Sequence, residues 1–228
     1  MYAFLTWSLL LGLIWLVLYL HRKDLRYEMM FSSFLCLPFG LTAPLFIPEY
    51  WDPVVIYKLF GLFDIESLIF CFFTGGIAAV LYEETFKAKL QILKYDKRAR
   101  FRGNFISFCL LFAAILLVAV NNFTDWSVMR SFFICVILGY MYFMHSRPDL
   151  FRKSFITGFI FTFLYVLTLL LINNIFPGFL NHQYNLDGAS GTVFSIIIEE
   201  YVYAFLFAIF WSIIYEEMRN VRIKEAKR

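Results

Sequence analysis

Long apolar runs alternate along this chain with short polar segments. The runs cover residues 2–20, 29–47, 65–82, 105–120, 127–144, 155–172 and 193–215. About 20 apolar residues form a helix long enough to cross a bilayer. In lipid such runs must be helical, because a helix satisfies its own backbone, and they lack the dyad alternation of barrel strands. The pattern predicts seven transmembrane helices. Pro38, Gly40 and Pro44 predict a kink or break in the second, and breaks of this kind often line cavities.

The pattern also repeats. Ile65-Glu66 recurs as Ile198-Glu199, and Tyr82-Glu83-Glu84 as Tyr215-Glu216-Glu217, both 133 residues on with no gap. Residues 65–84 share six identities with their counterparts. Upstream, Arg22-Lys23-Asp24-Leu25 recurs as Arg147-Pro148-Asp149-Leu150, 125 residues on, so the second copy carries an insertion before its glutamates. The expected organisation is an all-α membrane protein. A three-helix repeat (1–86) is followed by a basic loop and linker helix (87–126), then by a second three-helix repeat with a basic tail (127–228). Three spans plus one linker give both repeats the same orientation, related by an axis along the membrane normal.

Composition narrows the function classes. Of 228 residues, 61% are hydrophobic and 16% charged, against about 25% charged in soluble domains. Seven spans consume about 140 residues, leaving only short loops. A soluble enzyme, a nucleic-acid binder and a disordered tail protein are excluded. The net charge of +3 hides an asymmetry: 18 of the 20 Lys and Arg follow spans one, three, five and seven, and only Lys58 and Arg130 fall on the other side. The positive-inside rule places the N-terminus outside and the C-terminus in the cytoplasm, as expected in a prokaryotic cytoplasmic membrane. The first run lacks a basic leader and a small-residue cleavage site and reads as a retained span. Asn122-Phe123-Thr124 fits a glycosylation sequon on the outer side.

Few charges interrupt the apolar runs. Glu66 stands just inside the start of span three, and Glu199 and Glu200 lie deeper in span seven. An ionised carboxylate at a helix centre in lipid costs at least ~2.5–3.5 kcal/mol, so these groups should face the bundle, be protonated, or both. Matching depth places Glu66 and Glu199 facing a common centre, where paired acids can keep one proton for donation. Glu83-Glu84 and Glu216-Glu217 fall at cytoplasmic helix ends and suit ion pairing, with Arg22/Asp24 and Arg147/Asp149 as duplicated loop clamps. The outer loop 48–53 contains Glu49, Tyr50 and Trp51, suited to an interfacial belt or to a lid over the site. The 30 Phe suit a lipid-facing surface and also ring faces around a cation.

Other chemistries find no motif. There is no phosphate-binding glycine loop, no paired-histidine metal motif and no Cys-x-x-Cys; Cys36, Cys71, Cys109 and Cys135 read as small apolar fillers. Asp-rich motifs for magnesium and a diphosphate are missing, Asn121 to Asp125 being a poor approximation. Span seven has no Lys for a retinal Schiff base. No cofactor or metal is implied.

The duplicated helix start resembles the small membrane lycopene cyclase domain family, found as heterodimers or tandem fusions of three-span domains. In that family a Pro-Leu-Glu-Glu-like motif opens the third span; the matching positions are Asp64-Ile65-Glu66-Ser67 and Ile197-Ile198-Glu199-Glu200. Neither copy has the proline, and the first has Ser67 where the second Glu is expected. The resemblance implies cyclisation of the ends of a linear carotenoid or other isoprenoid lipid drawn from the bilayer, without cofactor. Glu199 or Glu200 would be the acid, and Glu66 would assist across the pseudo-axis. Two other readings remain open: a three-plus-one-plus-three small-solute transporter of the SWEET type, and a non-catalytic carotenoid- or lipid-binding protein with this fold.

Overall fold

The computed structural model describes residues 2–92, 127–184 and 191–224. The expected fourth span, the sequon, Cys109 and most of the basic loop lie outside the described residues. Among the described residues, six helical stretches are long and apolar enough to cross a membrane.

In the first half, α1 (Ala3–His21) is followed by a 3-10 turn at Lys23–Leu25 and by α2 (Arg26–Cys36). The expected break in the second apolar run falls where Pro38, Gly40 and Pro44 stand. Helix α2 gives way to a 3-10 segment, Leu37–Thr42, and a single turn, α3 (Ala43–Phe46). Proline removes backbone donors there, so a regular α ladder cannot continue. A short hairpin, β1 (Lys58–Leu59) with β2 (Phe63–Asp64), leads into α4 (Ile65–Phe86), and β3 (Lys89–Ile92) follows.

The second half repeats this order. Helix α5 (Val128–Ser146), a 3-10 turn at Pro148–Leu150 and an unbroken α6 (Phe151–Ile175) come first. A short α7 (Phe179–Gln183) is followed by the hairpin β4 (Thr192–Val193) with β5 (Ile196–Ile197). Then come α8 (Ile198–Trp211), α9 (Ile214–Arg219) and β6 (Val221–Lys224). The last apolar run therefore starts its helix at Ile198 rather than Val193. Phe194 and Ser195 both adopt positive φ, closing a tight hairpin turn that a helix cannot pass through.

The sequence repeat is a structural repeat. Arg22 makes a two-pronged contact with Asp24 (2.9 and 2.8 Å) and donates to the backbone carbonyls of Glu83 and Ala88. Arg147 does the same with Asp149 (2.8 and 2.9 Å) and the carbonyls of Glu216 and Val221. Both acceptor pairs are related by the 133-residue offset. Lys87 and Asn220, also 133 apart, both cap their helices in the left-handed region. Each guanidinium thus ties the turn between two helices to the end of a third, through charged donors aimed at carbonyls there.

Strands β3 and β6 join the halves as an antiparallel pair in which Leu90 lies opposite Ile223. These residues are themselves 133 apart, so a two-fold relation exchanging the halves maps the ladder onto itself. Within each half, α4 packs on α1 and α2, and α8 packs on α6 and α5. Across the halves α6 packs on α1 and α4, where buried Trp7 donates to Thr168 at 3.0 Å.

Candidate functional site

Two hairpins set the site. Each ends where α4 or α8 begins, so Ile65 and Ile198 are first helical positions, Glu66 and Glu199 second, Ser67 and Glu200 third. All four polar residues lie in a first turn, where the helix dipole favours negative charge. Glu199 and Glu200 are therefore not deep within a long helix but in its first turn, as Glu66 is in its own.

The third position faces inward. Glu200 is buried, and its carboxyl accepts hydrogen bonds from Tyr50 (2.7 Å) and Tyr165 (2.5 Å); the Tyr184 hydroxyl engages the same group. Glu200 and these tyrosines line a cavity of about 90 Å³, and Ser67, at the 133-residue offset from Glu200, lines it too. Ser67 in turn donates to Asp64 at 2.8 Å. Aromatic walls complete it: Trp7 lies 4.9 Å from Phe70 and 5.1 Å from Tyr165 between ring centroids, and Tyr203 lies 6.2 Å from Tyr165. A second, mostly apolar cavity of about 120 Å³ shares Phe39, Thr42, Phe46, Cys71 and Tyr203 with the first and reaches Phe132 and Cys135 of α5.

The second position does other work. Glu66 is buried, but its Oε1 accepts from the backbone N–H of Ile56 at 2.7 Å, holding the loop ahead of the hairpin. Glu199 is half-buried. Neither lines the cavity. One residue along a helix rotates the side chain by about 100°, enough to exchange the cavity for the bundle's flank.

The loop 48–53 closes one side. Tyr50 and Trp51 line the cavity, Trp51 bridges to Tyr184, and its ring lies 5.0 Å from that of Phe4. Glu49 instead accepts from the Val128 N–H at 3.0 Å, at the start of α5. Burial, with Glu200 alongside, holds the Tyr50 and Tyr184 phenols well above the usual tyrosine range, so both remain hydroxyl donors. Burial also pushes the Asp64 carboxyl up, with Glu66 adding to the effect. Tyr165, Tyr184 and Asp64 received no role from the sequence. Extending the 133-residue match by one position, from Glu66/Glu199 to Ser67/Glu200, is the signal that leads to the cavity.

A second polar cluster sits where α2, α4, α6 and α9 meet. The Lys153 ammonium contacts Glu83 (2.8 Å), Glu28 (3.4 Å) and Glu216, and all four residues are buried. One oxygen from each of the three carboxylates falls within 4.8 Å of the others, a spacing that can hold a metal ion; here the ammonium lies among them. Glu84 pairs with Arg22 and Lys87, and Glu217 faces Arg147 at 3.7 Å.

No family model, curated protein or solved structure matches this chain.

Proposed function

We propose that the protein is a membrane-embedded cyclase of linear isoprenoids, of the lycopene type. One observation carries this reading: the Glu200 carboxyl stands in an aromatic-walled cavity, ringed by three tyrosine hydroxyls and adjoined by a mostly apolar extension. The cavity suits the end of an apolar polyene, and its polar tip suits an acid. Glu200 delivers its proton to the terminal double bond. The neighbouring double bond attacks the resulting tertiary cation and closes a six-membered ring. A proton then leaves an adjacent carbon, so the product is an isomer of the substrate. The rings of Trp7, Phe70 and Tyr203 stabilise the positive charge through their faces. The hydroxyls of Tyr50, Tyr165 and Tyr184 hold the carboxylate left behind, as preorganised donors do at a developing anion.

The proposal includes parallel repeats flanking a linker helix, with the N-terminus outside and the C-terminus in the cytoplasm of a prokaryotic cell. The ladder centred on Leu90 and Ile223 supports a two-fold relation along the membrane normal, and the loop charges support the orientation. Reporter fusions at the two termini test this: signal from a periplasm-active reporter at the N-terminus and a cytoplasm-active one at the C-terminus is expected.

Expression in a lycopene-accumulating host, with pigments separated by chromatography, tests the chemistry. Ring-bearing products are expected, and Glu200→Gln should lower their formation by about 10² or more. Unchanged lycopene beside well-inserted protein would overturn the reading, and pigment copurifying without turnover would favour a binding protein instead.

A further inference from the structure

The two halves meet the cavity with unlike groups. Where the second half has Glu200, the first has Ser67; where the first has Asp64, the second has Ile197. The first half has thus not lost its carboxyl but carries it three residues earlier. Asp64 is the extended residue that caps α4 and Ser67 is the third residue of its first turn, positions whose side chains meet across a helix start. Ser67 Oγ donates to Asp64 Oδ2 at 2.8 Å, and both residues are buried, at 4% and 3% exposure. The other oxygen, Oδ1, is buried without a hydrogen-bond partner. A buried acceptor left open in this way calls for a reason. Ser67 lines the same cavity as Glu200, and Asp64 stands behind it.

We propose, resting on the cyclase reading, that Ser67 backed by Asp64 takes up the proton that leaves the ring cation. The C–H bond beside the cationic carbon breaks and its electrons form the ring double bond. The proton passes to Ser67 Oγ as the serine's own proton passes to Asp64 Oδ2. Serine ends neutral and Asp64 ends as the carboxylic acid. Glu200 has given one proton and Asp64 has gained one, so returning a proton from Asp64 to Glu200 resets the pair, and the reaction stays a net isomerisation. Ser67 is the catalytic residue and Asp64 a positioning residue that acts through it. The division of labour explains how a site with one cavity-lining glutamate can both give and take a proton.

The test uses the full chain in membranes of a lycopene-accumulating host, with insertion measured for every variant. Asp64→Asn and Ser67→Ala should each slow ring formation by about tenfold or more. Each should also raise the share of products in which the cation is captured by water or loses a proton from a different carbon. The double variant Asp64→Asn/Ser67→Glu, which places a glutamate where the second half has one, should recover rate and product ratio. An active wild type whose Asp64→Asn form keeps the same rate and product ratio would overturn this proposal alone. So would a well-inserted double variant that stays as slow as Asp64→Asn. A wild-type chain that makes no ring would overturn the cyclase reading and this proposal together.

Discussion

At the scale of single residues, the site turns on which of two adjacent first-turn positions points inward, the second or the third. Glu66 accepts a backbone N–H and Glu200 accepts tyrosine hydroxyls in the cavity. Opposite responses to the same change are expected. Glu66→Gln keeps an oxygen that can accept from Ile56, so ring formation should stay within a few-fold of wild type, whereas Glu200→Gln should lower it by about 10² or more; chromatography of the pigments decides. Tyr165→Phe removes one of the three donors to Glu200 and leaves the ring in place. Loss of one donor to a developing anion costs ~10²–10³ in rate; because two hydroxyls remain here, the fall should sit at or below the lower figure, read as initial rate with insertion unchanged. The acids themselves were legible in the sequence as rare charges in apolar runs. Their facing was not, because two adjacent positions in a first turn carry the same hydropathy signal.

At the scale of elements, the broken second span shapes the cavity. Phe39 and Thr42 of the 3-10 segment and Phe46 of α3 line it. That segment lies directly against α4: a Cβ on Gly40 would come within 2.7 Å of the Leu68 backbone. Backbone cannot swing aside as a side-chain tip can. Gly40→Ala should therefore push the segment off α4, lowering stability by ~1–3 kcal/mol. Thermal unfolding in detergent should show a reduced midpoint, with ring formation falling too because Phe39 shifts. Pro38, Gly40 and Pro44 announced the break, whereas α6, lacking proline, runs unbroken. The hairpins ahead of α4 and α8 were not legible, since Phe194 and Ser195 are poor advertisements for left-handed turns.

At the scale of the whole molecule, Lys153 holds the halves together. Glu28 corresponds to Lys153 at the 125-residue offset, and Glu83 to Glu216 at 133. The repeat therefore gathers two pairs of corresponding positions, three occupied by glutamate and one by lysine. Removing one partner of a buried ionic cluster costs about 3–5 kcal/mol because the remaining charge is uncompensated. Lys153→Met should destabilise by that amount. Adding Glu83→Gln and Glu216→Gln should recover part of the loss, measured by unfolding in detergent.

The sequence by itself determined the membrane class, the apolar runs, the duplication and the two arginine clamps. Hydropathy, charge sidedness and repeat offsets are properties of the linear chain, and Arg22 and Arg147 each reach an aspartate two residues away. Only the tertiary structure decided what Glu200 and Lys153 touch. Tyr50 is 150 residues from Glu200, and Glu28 is 125 from Lys153. Which side chains converge across such separations depends on helix phase and on the packing of one half against the other, and neither is written in local pattern.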